Sequence, residues 1–125
     1  MIYLDTHVAV WLYAGKINLL SKVAQDLIET NNTILISPIV QLELEFLKEI
    51  NRINVDSALI IESLNLNIGL QICDQKFSHV VTESIHNKWT RDPFDRLIVA
   101  QASIKSSTLI TKDRLIINNY TKARW

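Results

Sequence analysis

Apolar residues are spaced along this chain in two rhythms. Short uninterrupted runs of β-forming residues lie at Ile2–Leu4, Thr33–Ile36, Ile68–Ile72 and Thr108–Thr111, each too brief for a helix. Helical patterns fill the gaps. Ser21 predicts an N-cap for a helix through Glu29, with Val23, Ala24, Leu27 and Ile28 on one face, and Asn31-Asn32 then reads as a turn. Ser37-Pro38 pairs a cap with a proline at the first helical position and opens a helix to about Ile50. Asn54 or Asp56 starts the next, through Leu64, and Phe77–Asn87 and Asp92–Ile104 are further helices. Strands alternating with helices imply an α/β fold with a mostly parallel sheet covered on both faces. With no repeat, low-complexity tract or linker to divide it, the chain is expected to form one domain over residues 1–125.

The same periodicity isolates four carboxylates. At 100° per residue, Ile39, Phe46, Leu47 and Ile50 form an apolar stripe with Glu43 in its middle, while Gln41, Glu45, Lys48 and Glu49 fall on the opposite, solvated side. A carboxylate facing a core is costly unless an arginine or a metal compensates it. Asp95 shares a sector with Ile98, Val99 and Ala102, in a segment apolar nearly all round. Asp92, before Pro93, takes the capping role there, and first-turn acids such as Asp95 also suit the helix dipole. Asp5 closes the first β-type run and Asp113 follows the last. In open parallel sheets ligands bind beyond the carboxyl ends of the strands, which is where Asp5 and Asp113 fall and where helix openings at Ser37 and Asp92 would be delivered. Four such groups gathered together must raise their pKa values or hold cations. Acidic clusters of this kind suit Mg²⁺ or Mn²⁺, and hard divalent ions suit phosphate chemistry.

Composition narrows the setting. A hydrophobic share of 48% with only two Gly and two Pro argues for a compact, element-rich globule. Cys73 is alone, which excludes an intrachain disulfide or a thiolate zinc site. No apolar run approaches the roughly 20 residues that span a bilayer, and the N-terminus lacks a basic leader, so a cytoplasmic location without membrane contact is expected. The net charge of zero hides an asymmetry. Residues 1–87 carry five Lys/Arg against ten Asp/Glu, and residues 88–125 carry eight against three. A basic end beside an acidic pocket suits a phosphodiester substrate, with Arg96, Lys112 and Arg114 the candidate contacts to its phosphates because they neighbour the acids. His7, His79 and His86 share no metal-ligand spacing, and Gly15 and Gly69 are isolated, so there is no phosphate loop. Trp11, Tyr13 and Trp89 could stack on bases, although packing is the commoner fate of such residues.

Taken in order, Ile2-Tyr3-Leu4-Asp5-Thr6-His7, Ser37-Pro38, Glu43-Leu44, the block Arg91-Asp92-Pro93-Phe94-Asp95-Arg96-Leu97-Ile98-Val99-Ala100-Gln101-Ala102 and Leu109-Ile110-Thr111-Lys112-Asp113 resemble the PIN-domain family, and within it the VapC-type toxins of type II toxin–antitoxin pairs. The resemblance spans essentially the whole chain, and the block around Asp95 is its most specific part. It carries the family's acidic quartet onto Asp5, Glu43, Asp95 and Asp113, with Thr6 and Thr111 where members place a hydroxyl beside the metal pocket. It implies a three-layer α/β/α sandwich, Mg²⁺- or Mn²⁺-dependent endoribonuclease activity, inhibition by a cognate antitoxin, and a homodimer. The residues alone reach a divalent-metal site with phosphate chemistry. A DNA nuclease with the same acidic geometry, and a module that binds RNA or a partner without cutting, remain open on that ground.

Overall fold

Each crossover in this chain returns the next strand parallel to the last, so one sheet is built with no antiparallel pair. A computed structural model describes residues 1–125. The strands are β1 (Ile2–Leu4), β2 (Ile34–Ile36), β3 (Gln71–Ile72), β4 (Thr108–Ile110) and β5 (Ala123–Arg124). The helices are α1 (Thr6–Tyr13), α2 (Lys22–Thr30), α3 (Pro38–Glu49), α4 (Ser57–Ile68), α5 (Phe77–Ser84), α6 (Pro93–Ser103) and α7 (Arg114–Asn119), with a 3-10 turn at Ile17–Leu19. The strand order is β3-β2-β1-β4-β5, and all four pairings are parallel. Tyr3 stands between Leu35 and Leu109, which fixes the register at the centre. Helices cover both faces, giving the three-layer α/β/α sandwich. This is why β1 and β2 read as unbroken apolar runs: every one of their residues is buried.

The topology creates the functional edge. From β1 the chain moves to β2 and β3 on one side, then crosses back to β4 and β5 on the other. Loops therefore diverge at the carboxyl ends of β1 and β4, opening a crevice there. Asp5 leaves β1 into that crevice while its N–H still bonds the Ile110 carbonyl at 3.0 Å.

Several boundaries differ from expectation. The run Ile68–Ile72 is not one strand. Ile68 ends α4, Gly69 turns the chain with φ of 70°, and only Gln71 and Ile72 pair at the sheet edge. The Gly69 N–H bonds the Asn65 carbonyl at 3.0 Å, so the apolar run is divided by a helix stop. A side chain at Gly69 would meet nothing within 4 Å, which leaves backbone strain as the whole penalty. Gly69→Ala is therefore expected to cost about 1 kcal/mol, or a fall of about 4 °C in a thermal melt. An unchanged melting temperature would refute this.

α5 stops at Ser84 rather than continuing to Asn87, with the Ser84 hydroxyl bonded to the Val81 carbonyl at 2.6 Å. Asp56 occupies the cap position of α4, but its side chain makes no cap bond. Glu45 supplies the oxygen instead, accepting from the Ser57 N–H at 2.7 Å, while Asp56 pairs with Lys48. Glu45 thus does more than face solvent. The α3 stripe is also turned from its expected direction. Val40 and Leu44 are buried, whereas Phe46 and Ile50 are 43% and 45% exposed. The face bearing Glu43 borders the crevice rather than the centre of the core. Periodicity marks none of α1, α7 and β5.

Candidate active site

Three of the helices around the crevice begin on an aspartate that also faces it. Asp5 caps α1 by accepting from the Thr6 N–H at 2.8 Å. Asp92 caps α6, accepting from the Phe94 N–H at 2.8 Å and the Asp95 N–H at 3.4 Å. Asp113 caps α7, accepting from the Ile116 N–H at 3.0 Å. A short polar side chain satisfies the free N–H groups of a helix start, so these acids have a folding role irrespective of chemistry. The positive helix ends also moderate the repulsion among them.

Glu43 and Asp95 are brought in from one turn along α3 and one turn along α6. Ser37 fixes the relation of these helices. Its hydroxyl caps α3 at the Ile39 N–H and donates to Gln101 Oε1 on α6 at 2.9 Å. Gln101, 2% exposed, reaches on to Gln75 Oε1 at 2.8 Å and Cys73 Sγ at 3.3 Å. Tyr3 Oη closes the network on the same sulfur at 3.1 Å. This buried polar strut locks the two helices that carry Glu43 and Asp95. Its signal in the sequence is a lone glutamine in the apolar segment Ile98–Ala102.

The result is one cavity of about 330 Å³, lined by Asp5, His7, Val8, Trp11, Glu43, Asp92, Asp95, Lys112 and Asp113. Asp5, Glu43, Asp95 and Asp113, drawn from four separate parts of the chain, all face it. Two buried threonines position the acids. The Thr111 hydroxyl donates to Asp5 Oδ2 at 2.6 Å and accepts the Asp113 N–H at 3.0 Å. The Thr6 hydroxyl donates to Glu43 Oε1. Asp92, assigned from sequence only to capping, lines the cavity as well, and so do His7 and Trp11. Of the three proposed cations, only Lys112 is at the cavity. The Arg96 Nε donates to the Thr90 carbonyl at 2.8 Å, and Arg114 is exposed on α7. Other members of the basic end close the terminus: Lys122 donates to the Ser106 carbonyl and Arg124 to those of Thr121 and Ala123.

The repulsion within this cluster is only partly relieved. Burial first, then the neighbouring charges of Asp92, Asp5, Asp113 and Glu43, pushes Asp95 up to about 7. No hydrogen bond reaches its carboxylate. Glu43 is pushed up to about 7 by burial, against the Thr6 hydrogen bond and with Asp5 and Asp92 adding to the rise. Burial also raises Asp5, although the bonds from Thr111 and Thr6 oppose it. The ion pairs of the chain, Lys22–Asp26 and Lys48–Asp56, lie elsewhere, so the arginine-paired explanation for a buried Glu43 does not hold. In this conformation no three His, Cys, Asp or Glu side chains meet at one metal-binding point. The threonine hydroxyls and the α7 backbone hold three of the carboxylates instead. The donor chemistry nevertheless fits a hard divalent cation: oxygen donors only, adjacent, and without a compensating cation of their own.

The residues from 2 to 121 match the model of the PIN domain. The chain belongs to the PIN-domain family. Members of this family are generally nucleases. Among solved structures, a toxin–antitoxin complex from Klebsiella pneumoniae contains a chain that superposes with a TM-score of 0.68 at 15% identity, covering 100% of this chain and 97% of that one. VapBC2 from Rickettsia felis, bound to a DNA fragment from their promoter, gives a TM-score of 0.64 at 17% identity, covering 100% and 99%. At these identities the likeness shows the fold. Among curated proteins, none matches the chain by sequence. No helix of this PIN domain is long and apolar enough to cross a membrane.

Proposed function

We propose that this PIN domain is a Mg²⁺- or Mn²⁺-dependent endoribonuclease and the toxin of a toxin–antitoxin pair. The observation that carries the reading is the convergence of Asp5, Glu43, Asp95 and Asp113 on one cavity without a cationic partner. Asp5, oriented by Thr111, and the unbonded Asp95 are the best-placed metal ligands, with Asp113 beside them. A divalent ion bound there would polarise a phosphodiester and lower the pKa of attacking water. Thr6 holds Glu43 Oε1, leaving Oε2 free to take a proton from that water. The kinship in fold with chains of toxin–antitoxin complexes supports a cognate antitoxin as partner. A homodimer and a reduced cytoplasmic setting, consistent with the lone buried thiol of Cys73, complete the reading.

The test is incubation of the purified protein with structured RNAs and with single-stranded DNA, under Mn²⁺, Mg²⁺ or EDTA. RNA is expected to be cut and DNA spared, with EDTA abolishing the reaction. Equal cutting of DNA would replace the reading with a general nuclease. Tight binding without cutting under both metals would make the chain a binding module.

A further inference from the structure

Two aromatic pairs stand near the acidic cavity, one including Trp11 of its lining and the other on the helices that carry Glu43 and Asp95. On the side formed by α1 and the β4–α7 connection, Trp11 and Trp125 are tilted against each other with centroids 5.8 Å apart. Lys112 Nζ stands 5.9 Å from the Trp11 ring and 6.0 Å from that of Trp125, and exposed His7 lies 6.2 Å from Trp11. On the side formed by α3 and α6, Phe46 and Phe94 are 5.9 Å apart. Phe46 is one turn beyond Glu43 and 43% exposed, and Phe94 lies between Asp92 and Asp95. Phe46 is exposed and Trp11, Trp125 and Phe94 are half-buried, so each pair keeps ring surface open to solvent beside the acids.

Resting on the nuclease reading above, we propose that these two aromatic pairs are stacking platforms for the bases on either side of the scissile phosphate. The substrate is then a segment unpaired on both sides of the cut. The charge layout favours a nucleic-acid strand. The anionic cavity floor needs a cation before it can take one phosphate, while Lys112, held at the lip by two indole faces, presents a positive charge to the next. Bases in a duplex have both faces occupied by stacking and cannot lie on either pair, whereas splayed single-stranded bases can.

The deciding experiment measures anisotropy of an end-labelled oligoribonucleotide of roughly 12 nucleotides, matched to single-strand site sizes, alone and annealed to its complement, with Ca²⁺ holding off cleavage. Trp11→Leu, Trp125→Leu and Phe46→Leu are each expected to weaken single-strand binding about tenfold, with Trp11→Phe and Phe46→Tyr recovering most of it. Replacing the base beside the cut with an abasic site should cost wild type as much and cost the Leu variants little more. The Mn²⁺-induced rise in melting temperature should stay as in wild type. Trp11 packs partly on the core, so the exposed Phe46 decides the matter if the tryptophan variants fail to fold. Equal affinity of Phe46→Leu and wild type, equal binding of duplex and single strand, or no strand binding at all would overturn the proposal. So would variants that change only the mass in light scattering, because the rings would then seat protein. Cleavage that persists undiminished in these variants would remove this inference alone. Aromatic-dependent binding without cleavage would remove the nuclease reading alone.

Discussion

Asp95→Asn is expected to lower metal-dependent RNA cleavage by at least about a hundredfold while the metal-free protein melts slightly higher than wild type. Loss of activity follows because Asp95 is the carboxylate in the cavity that no protein group holds, and so the one freest to serve an ion. The gain in stability follows from its environment. Burial and four neighbouring carboxylates push Asp95 up to about 7, so its charged form is unfavourable at pH 8. Solvent still reaches the group, and after discounting for that the relief is on the order of 1 kcal/mol. The loss of an acid from the first turn of α6 opposes this by only about 0.3 kcal/mol at an exposed helix start. The balance is a rise of about 3 °C. Cleavage by the Asn variant within tenfold of wild type would remove Asp95 from the metal site.

The second large effect is a reversal of the pH dependence of stability by metal. Glu43 and Asp95, both pushed up to about 7, bind protons in the native state that the unfolded chain has already released. Between about pH 4 and pH 7 the native state therefore holds more protons, and the stability of the metal-free protein falls as pH rises through that window. Mn²⁺ competes with those protons for the same oxygens. At a hundredfold excess over its Kd it adds about 2.7 kcal/mol, or about 10 °C for a chain of this size, at pH 8. At pH 5 the carboxylates are protonated and the metal shift should nearly vanish. Melts at the two pH values, each with Mn²⁺ and with EDTA, measure this directly. A Mn²⁺ shift of equal size at both would mean that the ion binds elsewhere.

What could be seen in the sequence is what depends on near neighbours along the chain. Ser37-Pro38 and Asp92-Pro93 announced two helix starts because a cap and an N1 proline act within one turn. The unbroken runs of β1 and β4 announced a doubly covered parallel sheet, and their ends located Asp5 and Asp113. Glu43 was found through a helical stripe that is rotated in the fold, since the residues placed with it, Phe46 and Ile50, stand at the surface. The anomaly of an acid among apolar residues survived that error because Glu43 is still drawn away from bulk solvent, into the crevice where Thr6 holds it. α1 escaped notice because Thr6–Tyr13 is apolar on nearly every side and has no polar face to set a period. The pairing of Trp11 with Trp125 could not be read at all. It depends on β5 docking beside β4, which joins residues from opposite ends of the chain.

That Asp5, Asp92 and Asp113 are each both a helix start and a wall of the cavity has a consequence for how such a protein would decay. Asparagine caps a helix about as well as aspartate, whereas alanine does not. A lineage released from selection for cutting would still need an oxygen at residues 5, 92 and 113 to keep its shape, and would be expected to drift there to Asn or Ser. Glu43 and Asp95 have no such second duty, and their charges strain the folded state. They would be the first to go, leaving a well-folded descendant that loses its acids at residues 43 and 95 before its helix caps change.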